Sequence, residues 1–447
     1  VRRASRPETL DRDTLDLKRS SPSLSFYRRL RPASGLDRHP AADLSGGQQD
    51  ARIDVSRRQP RAPRRASSIL LYLVLCLASV NAVSADLEDV LNVLQPYLLG
   101  GITYESNLLM LPSDEQSDFY TTLGVGMGAE LVLGQQTISL DGLIFRNDFD
   151  RFNYLDYDGG EVDLVWDWIA GRLWSGRVGY GFDQSLRSFA FQVVPFKDII
   201  SRNRVFVEAD RWVADRWRLG LEGNWTNVGF SESSVQDRTI LGGGARIDYV
   251  TSTSSTIGLR SSYSNGDFQS ESVADYYEFQ MGPELKWRLS PKTRVELFLG
   301  YLERDYEQGS ENDYNGYVGS LNTFWQATGK TSVNLSLLRT VSALGDEIAN
   351  YAVVQGVTLE PSWAIGSKTI LRGLLGYQEQ DFSGTNLDPL GTESRLDKVT
   401  DLELWFDWNP MSAIRLSLGM TFEERDSTRA LREYRNEVLF GQIELGF

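Results

Sequence analysis

The side chains able to do chemistry in this chain are acids and arginines that recur as couples. Asp167/Arg177, Asp210/Arg218, Asp248/Arg260, Glu360/Arg372 and Asp407/Arg415 each set an acid before, and an arginine after, a short polar break. Across a tight hairpin such residues are cross-strand neighbours or diagonals, and opposite charges there attract by about 0.2–1 kcal/mol. Arg294 holds the same position opposite Lys286, with Glu284 adjacent. The couples can neutralise one another and stiffen a wall, or they can line a passage for hydrated, hydroxyl-rich solutes.

Other chemistries have little to draw on. The single histidine, His39, and the single cysteine, Cys76, both precede residue 86. Residues 86–447 therefore hold no thiol or imidazole nucleophile, no histidine base, no zinc site and no disulfide. The glycines of Gly124-Val125-Gly126-Met127-Gly128 alternate on a strand with no helix after them, and read as small residues in a curved wall rather than a phosphate loop. Asp148/Asp150/Asp156/Asp158 and Asp305/Glu307/Glu311/Asp313 could offer oxygens to calcium, but they lack the spacing of a calcium loop. A paired-carboxylate glycosidase stays formally open, with no pair singled out. No catalytic residue, cofactor or metal is expected.

Charge divides the chain. Residues 1–85 hold 16 basic and 8 acidic side chains of the 46 and 61 in all, so the remainder carries 30 basic against 53 acidic. That acidic bulk excludes wrapping of nucleic acid. Arg61, Arg64 and Arg65 precede the apolar run Ile69–Ala78, which is too short to span a bilayer and ends in small residues. This is the pattern of a signal peptide over 55–85, cut after Ala85. Residues 1–54 read as a disordered basic extension or a misassigned start, with Val55 as a plausible true start. Residues 86–94 read as a short periplasmic segment.

From residue 95 to 447 one pattern repeats. Val295, Leu297, Leu299 and Tyr301 share one face of a strand, with Arg294, Glu296, Gly300 and Arg304 on the other. About eighteen such segments succeed one another (sixteen is possible), most of them near or above the ~9–11 residues of a tilted membrane strand. Eight tight turns alternate with nine longer polar connections. These features predict an all-β antiparallel transmembrane barrel of the outer membrane with both termini on the short-turn, periplasmic side. Trp166, Trp168, Trp174, Trp217, Trp287, Trp325, Trp363 and Trp408 sit beside tight turns on the apolar face, as an interfacial girdle would. The charged couples then line the lumen. Leu186–Ser201, with Phe189, Phe191, Val193, Val194, Pro195 and Phe196, is the best candidate for a loop folded inward. The final strand alternates out to Phe447, a terminal signal for the barrel-assembly machinery.

Certain stretches resemble a known family. Gly101-Ile102-Thr103-Tyr104-Glu105-Ser106-Asn107-Leu108-Leu109, Arg151-Phe152-Asn153-Tyr154-Leu155-Asp156-Tyr157-Asp158, Val178-Gly179-Tyr180 with Ser188-Phe189-Ala190, and Arg202-Asn203-Arg204 with Ala209-Asp210-Arg211-Trp212 resemble the EpsL-type exopolysaccharide-biosynthesis outer-membrane proteins of the "putative β-barrel porin 2" group. The resemblance covers most of 90–447 and is strongest before residue 270; the basic extension 1–54 departs from it. It implies a Gram-negative outer-membrane location and export or assembly of an extracellular polysaccharide. Its expected partners are the polysaccharide, outer-membrane lipid and lipopolysaccharide, and periplasmic export components. It supplies no catalytic residue to carry over. A general or solute-specific porin, and a closed barrel that anchors polysaccharide, are the competing readings.

Overall fold

In a computed structural model the described residues are 93–447, apart from 193, 252–254, 270–274, 308–312, 343–350 and 384–394. The basic extension, the signal peptide with Ala85, and most of the 86–94 segment lie outside them. The strands are β1 (Leu94–Glu105), β2 (Asp118–Leu133), β3 (Gln136–Phe149), β4 (Tyr157–Ala170), β5 (Trp174–Leu186), β6 (Ile199–Trp212), β7 (Trp217–Phe230), β8 (Arg238–Val250) and β9 (Thr256–Phe268). They continue as β10 (Tyr276–Ser290), β11 (Thr293–Tyr306), β12 (Tyr314–Trp325), β13 (Thr331–Ser342), β14 (Tyr351–Ala364), β15 (Thr369–Ser383), β16 (Arg395–Met411), β17 (Ile414–Ser427) and β18 (Tyr434–Gly446).

Each strand pairs antiparallel with its neighbours in sequence, and β1 pairs with both β2 and β18. The sheet closes on itself, so no long strand edge is left to aggregate. The expected eighteen strands and the long–short alternation are both present. Two of the short turns hinge on glycines at positive φ, Gly134 (φ 65°) and Gly171 (φ 66°), a conformation that side-chain-bearing residues seldom adopt.

Period two sorts the side chains. Leu123 (65% exposed) and Leu221 (64%) stand on the outside with Leu98, Ile144, Leu299, Leu375 and Leu418. So many exposed apolar side chains on one face are intolerable in water and natural in lipid. The buried apolar clusters lie instead on the inside, toward the long loops. One gathers Tyr97, Leu99, Tyr120, Leu143, Phe145 and Leu155, and another Tyr276, Phe298, Leu302, Tyr306 and Val318.

Candidate functional site

The site is the lumen. Its wall on β6–β9 is built of ion pairs whose partners are set by register and by glycines. Arg177 donates to Asp167 at 2.9 Å, and the two are directly opposite on β4 and β5. Arg218 lies opposite Asp248 and bonds it at 2.7 Å, while only approaching Asp210 to 4.0 Å. Asp210 is bonded by Arg246 at 2.6 and 2.8 Å from two strands away. The strand between supplies Gly220, where a Cβ would fall 2.6 Å from Arg246 Nε and 2.7 Å from Asp210 Oδ1. Arg260 likewise reaches Glu222 at 2.7 Å past Gly244, whose Cβ would fall 2.6 Å from Glu222 Oε1.

This arrangement corrects one of the expected couples. Asp248 is opposite Gly258 rather than Arg260, which pairs with Glu222. Arg372 is opposite Ser362, two residues from Glu360 on the same face, and Trp405, and its guanidinium also bonds Asp407 on the next strand. Asp407 also accepts from Ser417 Oγ at 2.8 Å and feels the charge of Arg415, which in addition pairs with Glu444 on β18 at 3.3 Å. A guanidinium on a long stem reaches diagonally to the following strand as readily as back across its own turn. Lys286 meets Glu284 at 3.1 Å, and Arg294 lies over the Phe324 ring at 5.1 Å.

The wall changes character round the barrel. On β12–β14 the inward positions are mostly neutral and polar: Ser320, Asn322, Asn334, Ser336, Thr358 and Ser362, with Ser336 Oγ donating to Asn322 Oδ1 at 2.8 Å.

The segment between β5 and β6 lies inside the barrel. Phe189–Phe191 form a single 3-10 turn, with Ser188 Oγ accepting from the Ala190 N–H. Both Ala190 and Phe191 are buried with Tyr434 of β18. Arg425 of β17 donates to the Ala190 carbonyl at 2.7 Å and stacks near Phe191 and Tyr434, and Arg432 donates to the Gln192 carbonyl at 3.0 Å. The segment therefore bridges the interior past β4, β3, β2 and β1. The β1–β2 loop is pinned beside it. The Asn107 N–H donates to Asn436 Oδ1, and Asn107 Nδ2 to the Arg435 carbonyl, each at 3.0 Å.

The loop acids have structural duties. Asp156 accepts the Phe149 N–H at 2.8 Å, Asp237 that of Phe230 at 2.7 Å, Asp275 that of Phe268 at 2.7 Å, and Asp313 that of Tyr306 at 2.8 Å. In each case an aromatic residue ends a strand and the aspartate seven positions on begins the return, so one latch closes four of the long loops. Sequence reasoning missed this spacing, although it was readable as an aromatic followed by an acid at a fixed offset. Burial lifts the Asp237 and Asp275 carboxyls above the ordinary 3.8; Asp198 adds to the first, and Asp267 and Glu307 to the second. Asp118 and Asp198 hold the neighbouring loops through the N–H groups of Phe152 and Glu232. Among the described residues no group of acids forms a metal site.

All eight tryptophans expected of the girdle lie on the outer face next to short turns; Trp217 packs edge-on against Tyr249, and Trp166 Nε1 donates to Gln136. Trp212, also beside a turn, faces inward under Arg218.

Residues 224–446 match the family model described as Putative beta-barrel porin 2, and so fall on β7–β18, overlapping the part before residue 270, where the resemblance is strongest, only from residue 224. No curated protein matches the chain. Among solved structures the chain is similar to OccK1 (OpdK) of Pseudomonas aeruginosa, with 11% identity, TM-score 0.45, and 80% of this chain and 99% of that one covered. OccK2 (OpdF) of Pseudomonas aeruginosa gives 9% identity and TM-score 0.47 over 80% of this chain and 98% of that one. The siderophore receptor PirA from the same organism gives 9% and 0.41 over 79% and 80%.

Proposed function

We propose that this barrel is an outer-membrane channel through which an extracellular polysaccharide is exported or assembled. The observation that carries the reading is the chemistry of the inner wall. Its charges on β6–β9 are paired off, leaving little unbalanced field to trap an ion, and β12–β14 present amides and hydroxyls that can exchange hydrogen bonds with a sugar chain. The resemblance of the segments around Tyr104, Tyr154 and Arg204 to exopolysaccharide-biosynthesis proteins points the same way. Periplasmic export components would deliver the polymer at the short-turn mouth.

The second reading is a general or solute-specific porin, favoured by the family match on β7–β18. The third is a barrel that anchors polymer without passing it, favoured by the segment that bridges the interior. Planar-bilayer recording with the purified barrel, paired with polymer assays on a deletion strain, tests all three. The export reading expects discrete conductance and polymer retained in the periplasm of the deletion strain. Rapid osmotic swelling with small sugars and unaltered polymer secretion would replace it with the porin. A folded barrel without conductance would end both pore readings.

A further inference from the structure

The eighteen seams of the barrel are unequal. β12 and β13 share seven register pairs, from Trp325 opposite Val333 up to Gly319 opposite Arg339; the next shortest seam, β1–β18, has nine. Beyond Gly319 the two strands part. Tyr314–Val318 of β12 pair with β11 alone, and Thr340–Ser342 of β13 with β14 alone. Five residues of strand cover about 16 Å. Where the gap starts, Tyr317 meets Tyr301 edge-on at 5.6 Å.

Side chains replace the missing ladder. Val318, Val341, Tyr306 and Tyr351 belong to one buried cluster; Tyr351 stacks on Tyr306 at 6.3 Å and meets Tyr314 edge-on at 5.7 Å. On the outer side Arg339 Nε donates to the Tyr317 carbonyl at 3.2 Å and its Nη1 to Gln355 Oε1 at 2.7 Å. Glu379 accepts from Gln355 Nε2 and from the Tyr377 hydroxyl, each at 2.9 Å. This polar chain lines a cavity of about 220 Å³ with Val353, Asp381 and Leu396. Leu337, Leu338 and Arg339, at the last paired positions of the seam, are exposed in succession although neighbouring side chains point to opposite faces, so side chains on both faces of β13 are accessible here.

We propose that the β12–β13 seam is a lateral doorway between the lumen and the headgroup layer of the outer leaflet, and that Arg339 receives the phosphate-bearing head of a lipid at it. Widening the seam separates packed rings and one arginine–carbonyl bond, whereas the other seams of the described strands hold at least nine register pairs. The guanidinium then turns from a carbonyl to a phosphate, an acceptor it binds more strongly. The inference rests on the reading that the barrel spans the membrane, so the test carries a control for that reading.

In a chain with Cys76→Ser, a fluorophore is placed singly at Leu338→Cys (inside, at the seam), Ser262→Cys (inside, on β9) or Leu299→Cys (outside). The barrels are reconstituted in phosphatidylcholine vesicles containing headgroup-nitroxide phosphatidylcholine. The doorway predicts strong quenching at Leu299→Cys, little at Ser262→Cys, and several-fold more at Leu338→Cys than at Ser262→Cys. Adding Tyr351→Ala, which removes the wedge, raises the Leu338→Cys signal further, and Arg339→Gln lowers it. Equal quenching at Leu338→Cys and Ser262→Cys, with and without Tyr351→Ala, overturns the doorway while leaving the membrane reading intact. Absent quenching at Leu299→Cys removes the membrane reading and the doorway with it.

Discussion

Asp210 and Arg246 stand on strands that are not neighbours, yet they share two hydrogen bonds of 2.6 and 2.8 Å across the backbone of Gly220. The glycine is the reason. Any side chain at that inward position of β7 would occupy the space where carboxylate and guanidinium meet. Gly244 does the same for Glu222 and Arg260. The inner wall is thus a lattice of charges stitched over strands, not a row of separate hairpin pairs.

Gly220→Val is therefore expected to destabilise the barrel by about 1–3 kcal/mol through overpacking and loss of the pair. A double-mutant cycle with Asp210→Asn and Arg246→Gln, read from urea unfolding in detergent, should give a coupling energy in the same range. Additive effects of the two single changes would show that the contact carries no energy.

Arg425→Ala removes the donor that holds the Ala190 carbonyl and the cation beside Phe191 and Tyr434. The expected cost is about 1.5–3 kcal/mol, with larger and noisier single-channel conductance as the bridging segment loosens. Conductance identical to the parent would mean that the segment does not narrow the path.

The aspartate latches make an unusual pH prediction. Burial raises the folded pKa of Asp237 and Asp275 above the unfolded 3.8. The folded state therefore binds the proton more readily, and the stability linked to it is fully present below 3.8 and lost as pH rises through the raised folded value. Acidification from neutrality should thus not release these two loops. Hydrogen exchange at the Phe230 and Phe268 amides, corrected for intrinsic rates, should stay protected or gain protection, and Asp237→Ala should expose Phe230 at every pH. A loss of protection in the wild-type protein on acidification would contradict this.

Much of the architecture was legible because the strand period forces it. Leu297, Leu299 and Tyr301 cannot share a face with Arg294 and Glu296 in any other conformation, and a run of such segments with alternating short and long breaks closes only as a barrel. The tryptophans were legible because each lies on the apolar parity next to a short turn. The ion partners were not. The spacing across a turn says nothing of the strand beyond, and Arg260 and Arg372 both reach there. The acids Asp156 and Asp313 looked like possible cation ligands because their shared offset from Phe149 and Tyr306 has meaning only once the chain has turned. Trp212 shows the limit of proximity to a turn as a signal; its parity turns it inward.

The most direct test of the account is single-cysteine scanning along β7 from Leu219 to Trp225, in a chain with Cys76→Ser in native outer membranes, using a water-soluble thiol reagent and a lipid-borne quencher in parallel. The account predicts strict alternation between 219 and 225: quenching from lipid at 219, 221, 223 and 225, and aqueous labelling confined to 222 and 224, with the packed position 220 left out. Labelling of both parities by the aqueous reagent, with no quenching from lipid at either, would contradict a membrane-spanning barrel.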